Sequence, residues 1–239
     1  MNKKVVVTGG SNGLGLAITR KHLELGDDIW VIDNEKTPEI MELTSKNKNV
    51  ILVYCDISKT ANVKNALDDI VPAIGNIDCL YSCAGIFKYE EKVPLSETIL
   101  DDAAYMYEVN AVGFLRVVQA LLPVIKDGCV IMCVTSEAGS IGENTRSQEY
   151  NYCMSKAAEN MACHILQKHF DSIPQNTRVM CIHPGWMRTR MGGQDAINNP
   201  QSSIAPEESA EAIIGIANDI ESIPKERMYM DYKRKDFPW

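Results

Sequence analysis

The strongest constraint on the fold of this chain is a regular alternation of short apolar runs with stretches of helical periodicity. Runs rich in β-branched residues predict buried strands, and apolar positions three or four residues apart predict amphipathic helices between them. Repeated strand–helix units favour a parallel sheet covered by helices on both faces. No linker or repeat interrupts the alternation, so a single α/β domain spanning residues 1–239 is expected. The predicted strands are 5–7, 28–32, 50–54, 77–82, 128–134 and 178–182.

Composition argues against two classes of partner. With a net charge of −8 and an isoelectric point near 5.1, the chain lacks the clustered Lys and Arg that bind nucleic-acid phosphates. No apolar run approaches the ~18 residues of a membrane span, and Val5–Val7 is too short for the core of a signal peptide. A cytoplasmic protein that binds neither nucleic acid nor membrane is therefore expected.

Eight cysteines raise the alternatives of disulfides or a zinc site. The chain contains no CxxC pair, however, and most of the cysteines fall in apolar surroundings. Reduced, buried thiols and no bound metal are therefore expected. Those within or beside apolar runs are Cys55, Cys79, Cys129, Cys133 and Cys181.

A glycine-rich turn, Thr8–Gly15, joins the first predicted strand to the first helical stretch. Its glycines allow a tight turn and close approach of a pyrophosphate, and the following helix offers free N–H groups and a positive dipole end. A glycine-rich loop alone is weak support. Its position between a strand and a helix, however, predicts a dinucleotide-binding site.

Asp33 ends the second predicted strand, 18 residues after Gly15, where a dinucleotide fold places an acid against the adenosine ribose. The alternative is that Asp33 only starts a turn with Asn34. In the ribose role, its carboxylate repels a 2′-phosphate about 4 Å away by roughly 1–4 kcal/mol. Neither Asn12 nor Asn34 supplies a positive charge, so NAD(H) is predicted over NADP(H). Lys36 is the nearby cation that opposes this preference.

A candidate proton-transfer site lies in residues 134–156. If Tyr152 begins a helix, Tyr152 and Lys156 at i and i+4 share one face. A nearby ammonium lowers a tyrosine pKa from about 10 by roughly 1 to 3 units, which makes the phenol a better base. Ser136 follows a predicted strand and emerges at the sheet edge where active sites of α/β proteins lie. Taken alone, a Tyr and a Lys four residues apart on a helix are usually just a solvated face, so the context of the other motifs decides.

Five motifs, in this order, resemble the short-chain dehydrogenase/reductase family over nearly the whole chain. They are the cofactor loop TGxxxGxG at 8–15, a helical asparagine at Asn110, the catalytic serine at Ser136, YxxxK at Tyr152 and Lys156, and PGxxxT at 184–189. The resemblance implies a Rossmann fold, a doubly wound parallel sheet of about seven strands with helices on both faces. The family's NNAG is replaced by residues 82–85, a change that touches no catalytic group. The loop before Tyr152 is longer than usual and resembles the C-factor-like and sniffer-type carbonyl reductase subgroup.

The resemblance also implies roles for individual residues. Tyr152 exchanges a proton with the substrate oxygen, and Ser136 holds that oxygen. Lys156 lowers the tyrosine pKa and grips the nicotinamide ribose, while Asn110 positions a water between Lys156 and solvent. Thr189 fixes the carboxamide. The residues implied to contact the cofactor are Gly9, Ser11, Asn12, Gly13, Leu14, Gly15, Asp33, Asp56, Ile57, Cys83, Ala84, Gly85, Tyr152, Lys156, Pro184, Gly185, Met187 and Thr189.

The leading interpretation is an NAD(H)-dependent oxidoreductase acting by hydride transfer on a carbonyl or alcohol carbon. One alternative is a carbonyl reductase that prefers NADPH. Another is a cofactor-binding signalling or sensor protein of the C-factor type, for which a broken Ser-Tyr-Lys set would be the sign. A chaperone-like or structural relative is opposed by the intact cofactor loop and by Asp33.

The substrate region is expected to have a short lid, because only 16 residues separate Thr189 from the helical pattern that begins at Pro206. Its composition favours turns over a stable helix. A small to medium apolar ketone, aldehyde or alcohol is the expected substrate, rather than a charged sugar or a carrier-bound acyl chain. The predicted walls are Trp186, Met187 and Met191 on one side and Ala138, Ile141 and Tyr150 on the other.

The helical stretches 100–122 and 152–170 look too apolar to leave one face in water. Relatives of the resembling family pair these helices across a two-fold axis, so a homodimer or homotetramer is expected. The alternative is that both stretches only cover the sheet.

Overall fold

A computed structural model describes residues 2–239. Seven strands form one sheet in the order β3-β2-β1-β4-β5-β6-β7, and every neighbouring pair is parallel. The strands are β1 (Lys4–Thr8), β2 (Asp28–Asp33), β3 (Val50–Tyr54), β4 (Ile77–Ser82), β5 (Ile125–Val134), β6 (Arg178–His183) and β7 (Tyr229–Asp231). The helices are α1 (Gly13–Glu24), α2 (Pro38–Lys46), α3 (Thr60–Leu67), α4 (Val71–Ile74), α5 (Asp102–Tyr107), α6 (Gly113–Leu121), α7 (Tyr150–Asp171), α8 (Gly193–Asn198) and α9 (Pro206–Asn218).

Side chains of each strand alternate between two buried layers, as strand β1 illustrates. Val5 and Val7 pack on the face covered by α1, α2 and α9, where Ile213 is fully buried. Val6 packs on the opposite face with residues of α3, α6 and α7, including Phe114. The predicted Rossmann-type sheet with helices on both faces is therefore confirmed. Strand order reverses between β1 and β4, and sheets of this kind bind ligands beyond the strand ends at that point.

Two predicted helices are interrupted in the structure. The stretch predicted as one helix over 100–122 contains a π-helical turn, Glu108–Val112, between α5 and α6. The stretch over 61–74 divides into α3 and α4, because Pro72 lacks an N–H donor and fits best in the first turn of a new helix. Helix α2 was not predicted, since its nine residues are too few for a clear periodic pattern.

The segment 190–205 contains the short helix α8, where the sequence favoured turns alone. Tertiary contacts explain the difference. Ala196 is fully buried, and the Ser203 hydroxyl donates to its carbonyl oxygen at 2.6 Å. The Trp186 indole N–H donates to the carbonyl oxygen of Gly192 at 3.3 Å, just before the helix. Among residues 2–239, no helix is long and apolar enough to cross a membrane.

Candidate active site

A cavity of about 780 Å³ opens at the carboxyl ends of the central strands and reaches residues 190–192. It gathers residues that are far apart in the chain, because the carboxyl ends of parallel strands share one edge of the sheet. The residues predicted for the site that line it are Gly9, Asn12, Gly13, Leu14, Gly15, Asp33, Asp56, Ile57, Cys83, Ala84, Gly85, Ser136, Tyr152, Lys156, Pro184, Gly185, Trp186, Met187, Thr189 and Met191. Those that do not line it are Ser11, Asn110, Ala138, Ile141 and Tyr150.

The glycine loop forms one end of the cavity, and its geometry fits a dinucleotide phosphate. Gly9 has a φ of +66°, and a Cβ there would lie 2.8 Å from the backbone of Ala84. A Cβ on Gly15 would lie 2.2 Å from the carbonyl oxygen of Gly9, so the turn closes only with glycine. Over residues 2–239, no side chain caps the N-terminus of α1. The N–H groups of its first turn and the positive dipole end are thus available to an anion.

Asp33 lies next to this loop at the end of β2. It is buried, and its carboxylate accepts hydrogen bonds from the backbone N–H of Ser11 at 2.9 Å and of Glu35 at 3.0 Å. Ser11 was predicted to contact the cofactor, but it does not line the cavity and instead holds the Asp33 carboxylate through its backbone N–H. We call the glycine loop, Asp33 and Glu35 the cofactor half of the cavity.

Two charged residues beside the glycine loop, Glu35 and Arg190, were not predicted. The Glu35 carboxylate accepts a hydrogen bond from the Asn12 side chain at 2.6 Å and lies 2.7 Å from the guanidinium of Arg190. Lys36, the cation suspected from the sequence, instead places its ammonium 4.9 Å from the centre of the Tyr54 ring and does not line the cavity. Only the fold brings Arg190 beside Glu35, because 155 positions separate them in the chain.

Tyr152 and Lys156 both face the cavity from the first two turns of α7. Burial raises the pKa of the Tyr152 phenol by more than the Lys156 ammonium and the Ser136 hydroxyl lower it. Lys156 thus lowers this pKa as expected, but the net shift is upward, because burial raises it and Glu137 and Glu159 act in the same direction as burial. The Ser136 hydroxyl donates to Glu137 Oε2 at 2.8 Å and accepts from the backbone N–H of Ala138 at 3.1 Å.

Asn110 lies behind the cavity wall, in the π-helical turn between α5 and α6. Its amide accepts from the Ile86 N–H at 2.7 Å and donates to the Ile86 carbonyl oxygen at 3.0 Å and to the Ser155 hydroxyl at 2.9 Å. A Cβ on Gly85 would lie 3.3 Å from Asn110 Oδ1 and 3.5 Å from Lys156 Nζ. Asn110 thus holds the loop after β4 in place, and Gly85 of that loop lies close to both Asn110 and Lys156.

The wall beside Ser136 is charged where the sequence predicted an apolar surface. Glu137 Oε2 lies 2.9 Å from His183 Nδ1, and Glu137 Oε1 lies 2.5 Å from the Arg146 guanidinium. Arg146 also pairs with Glu149 at 2.7 Å. Burial raises the pKa of Glu137, but His183 and Arg146 together lower it by more. The pKa of Glu137 therefore lies well below its ordinary range.

The prediction of Ala138, Ile141 and Tyr150 as a substrate wall is wrong. The turn that follows Ser136 directs Ala138 into the protein, where it is 2% exposed, while Ile141 is 85% exposed. Tyr150 opens α7 but does not line the cavity. The acid directly after Ser136 and the arginine in the following loop were the available sequence signals for the charged wall.

The remaining wall is aromatic and apolar, as predicted for its Trp and Met residues. The Tyr89 hydroxyl donates to the Met191 carbonyl oxygen at 3.1 Å, which ties the segment 190–205 to the loop after β4. Phe87 packs edge-on against Tyr152, with ring centres 5.0 Å apart. We call these residues, Trp186 and the charged wall the substrate half of the cavity.

Comparison with known proteins agrees with this geometry. The profile of the family described as short chain dehydrogenase matches residues 3–199. The chain therefore belongs to the short-chain dehydrogenase family and is an oxidoreductase.

Individual proteins and solved structures are also similar to this chain. C-signal of Myxococcus xanthus is 32% identical over 169 residues, which cover 69% of this chain and 94% of that protein. The carbonyl reductase Sniffer of D. melanogaster superposes with a TM-score of 0.85 at 20% identity, covering both chains completely. A putative short-chain dehydrogenase/reductase from Burkholderia multivorans with bound NADP superposes with a TM-score of 0.83 at 23% identity, covering 99% and 100%. The predicted likeness to C-factor-like and sniffer-type proteins is confirmed.

Proposed function

We propose that this protein transfers a hydride between NAD(H) and a small carbonyl or secondary alcohol. The observation that carries the proposal is that Ser136, Tyr152 and Lys156 line the same cavity as the glycine loop and Asp33. A cofactor held at the loop thus reaches the hydroxyl groups that would handle a substrate oxygen. When bound, the nicotinamide supplies or accepts the hydride.

In the reduction direction, the Tyr152 phenol donates its proton to the substrate oxygen as negative charge develops there. The Ser136 hydroxyl donates a hydrogen bond to the same oxygen, exchanging its present acceptor Glu137 for the substrate. The Lys156 ammonium stabilises the phenolate that remains. In the oxidation direction the phenolate is the base, and the same groups act in reverse.

Preference for NAD(H) is supported by the charges of the cofactor half. A ribose 2′-phosphate placed beside Asp33 would meet two carboxylates, those of Asp33 and Glu35. The neighbouring cation, Arg190, is already paired with Glu35. A ribose hydroxyl, in contrast, can donate to the Asp33 carboxylate.

NADPH preference is the second candidate, and Arg190 is the observation that favours it. Its side chain is 77% exposed and free to turn toward a phosphate if Glu35 releases it. Calorimetric titration of the protein with NADH and NADPH distinguishes the two. Tighter binding of NADH supports the proposal, and equal or tighter binding of NADPH overturns it.

We propose as substrate a small to medium ketone, aldehyde or secondary alcohol with an apolar body. Trp186, Met191 and Phe87 offer the surface for that body. The charged wall of Glu137 and Arg146 adds a place for one polar substituent next to the reacting oxygen. A panel of carbonyls and alcohols, followed by absorbance of the reduced cofactor, tests this choice. Cofactor binding without turnover of any panel member would favour a signalling role of the C-signal type.

We also propose that the protein forms a dimer or tetramer through the outer faces of α5, α6 and α7. These faces leave large apolar side chains in solvent, where a second copy would cover them. Light scattering at micromolar concentration tests the proposal, and a mass of about 27 kDa, that of one chain of 26.6 kDa, contradicts it. The exposed side chains are Tyr107, Leu115, Met154, Met161 and Ile165.

A further inference from the structure

A carboxylate is buried directly behind the Lys156 ammonium. Glu159 follows Lys156 by three residues on α7, and its Oε2 atom lies 2.7 Å from Lys156 Nζ. The two side chains are 5% and 1% exposed, so both charges are withdrawn from water. The Lys156 ammonium also donates to the carbonyl oxygen of Val134 at 3.1 Å. The Lys156 ammonium, which is expected to act on Tyr152, is therefore already paired with Glu159 and with the Val134 carbonyl oxygen inside the protein.

Besides the Lys156 ammonium, Glu159 has thiols around it. Cys133 on β5 donates its S–H to Glu159 Oε1 at 3.2 Å. Four thiols interact with Glu159, and burial raises the pKa of each, so they are neutral at physiological pH. Tyr152 and Lys156 are the other titratable groups that interact with Glu159. The thiols come from the end of β4, from β5, from α7 and from β6: Cys83, Cys133, Cys163 and Cys181.

Packing alone does not account for an acid at this position. A buried ion pair costs desolvation of both charges, and an apolar pair of similar volume is often as stable. Burial disfavours the Lys156 ammonium, but Glu159 more than offsets this and the lysine pKa rises. Burial likewise raises the pKa of Glu159, against the lowering effect of Lys156. The pair thus keeps Lys156 charged while bringing the net charge behind Tyr152 close to zero.

We propose that Glu159 is a positioning residue that anchors Lys156 and partly neutralises its charge, so that Tyr152 stays protonated and the site is set for carbonyl reduction. This inference rests on the proposed function. The phenol of Tyr152 lies one helical turn from Lys156 and interacts with both members of the pair, which act on it with opposite sign. Glu137, on the cavity wall, acts on the phenol in the same direction as Glu159. Without Glu159, the same ammonium would favour the phenolate more strongly.

The test is the pH profile of alcohol oxidation by Glu159→Gln, an almost isosteric change that removes the charge and leaves one acceptor oxygen where the carboxylate has two. Oxidation requires the phenolate, so the rising limb of kcat is expected to move about one pH unit lower, within the range that one neighbouring charge produces. Loss of packing alone would lower the rate without moving the limb. An unchanged limb, or one moved to higher pH, overturns the proposal.

Asp171→Asn is the matched control. It removes one negative charge from the same helix, 12 residues further along and hence roughly 18 Å away. Its pH profile should coincide with that of the unmodified protein. A shift equal to that of Glu159→Gln would show that overall charge, and not the Lys156 contact, moves the profile.

A second measurement needs no turnover and compares the protein with Glu159→Gln. Absorbance titration of tyrosinate in the protein, minus that of Tyr152→Phe, isolates Tyr152. The proposal expects this phenol to titrate at or above the ordinary tyrosine value of about 10, and titration below about 9 overturns it. Glu159→Gln should titrate at lower pH than the parent, and an equal value would overturn the role of Glu159. If no carbonyl or alcohol is turned over but this difference is found, the proposed reaction fails while the role of Glu159 stands.

Discussion

The cofactor half of the cavity is built mainly from backbone, whereas the substrate half is built from side chains. In the cofactor half, Gly15 is required because its missing Cβ would lie 2.2 Å from a carbonyl oxygen. In the substrate half, Glu137, Arg146 and His183 form ion pairs that depend on how a long loop folds. Backbone constraints leave a motif in the sequence, and side-chain pairing leaves none. The glycine loop and Asp33 were therefore predictable, whereas the charged wall was not, and neither was the pair of Glu35 and Arg190.

Tyr152→Phe should have the largest effect, because Tyr152 lies where the two halves meet. Removing the hydroxyl is expected to lower kcat by roughly a hundredfold or more while cofactor affinity is retained. Tyr150→Phe is the matched control, since Tyr150 opens the same helix without lining the cavity. Steady-state kinetics and calorimetry together check this. A Tyr152→Phe protein that keeps most of its turnover would show that another group moves the proton.

The cofactor half is tested next by two changes of charge. Asp33→Ala is expected to weaken NAD(H) binding by roughly tenfold or more, the usual loss for a hydrogen bond to a charged group. Glu35→Gln frees Arg190 and should strengthen NADP(H) binding instead. Glu39→Gln, an exposed acid on α2, is the control and should change neither affinity. Calorimetric titrations that leave the NAD(H) preference unaltered in Asp33→Ala would remove Asp33 from the ribose site.

The substrate half should show an acid-dependent loss of stability that depends on Glu137. Because its folded-state pKa is depressed, Glu137 contributes stability above the ordinary value near 4.3, and this contribution is lost as pH falls. Glu137→Gln lacks the contribution, so its unfolding free energy should fall less between pH 6 and pH 3. Glu143→Gln, which pairs only with Lys235 at 3.4 Å, serves as the control. Urea unfolding across this pH range measures the difference, and parallel curves for Glu137→Gln and the parent would contradict it.

The smallest expected effect concerns the segment 190–205. Its contacts through Tyr89 and Trp186 are few, so substrate bound over NAD(H) should slow hydrogen exchange of its amides. Helix α9 is the internal reference, because it packs against α1 and none of its residues line the cavity. Equal exchange with and without the ternary complex would rule out a lid role.

Strand β7, with three residues, was not located from the sequence. Strands β1 to β6, the glycine loop and the set of Ser136, Tyr152 and Lys156 could be predicted from the sequence alone. Each is recorded locally, in strand periodicity, in positions that admit only glycine, or in an i, i+4 spacing. The position of Asp33 was also local, since it ends a strand at a countable distance from the loop.

Tertiary structure decided the electrostatics of the site. Arg190 reaches Glu35 across 155 positions, and Glu91 accepts the Tyr152 backbone N–H at 3.1 Å across 61. Glu159 has its charged partner three residues away, yet only burial between α7 and β5 makes that pair matter for Tyr152. Charge interactions depend on distance and on access to water, and both are set by how the chain packs rather than by the order of its residues.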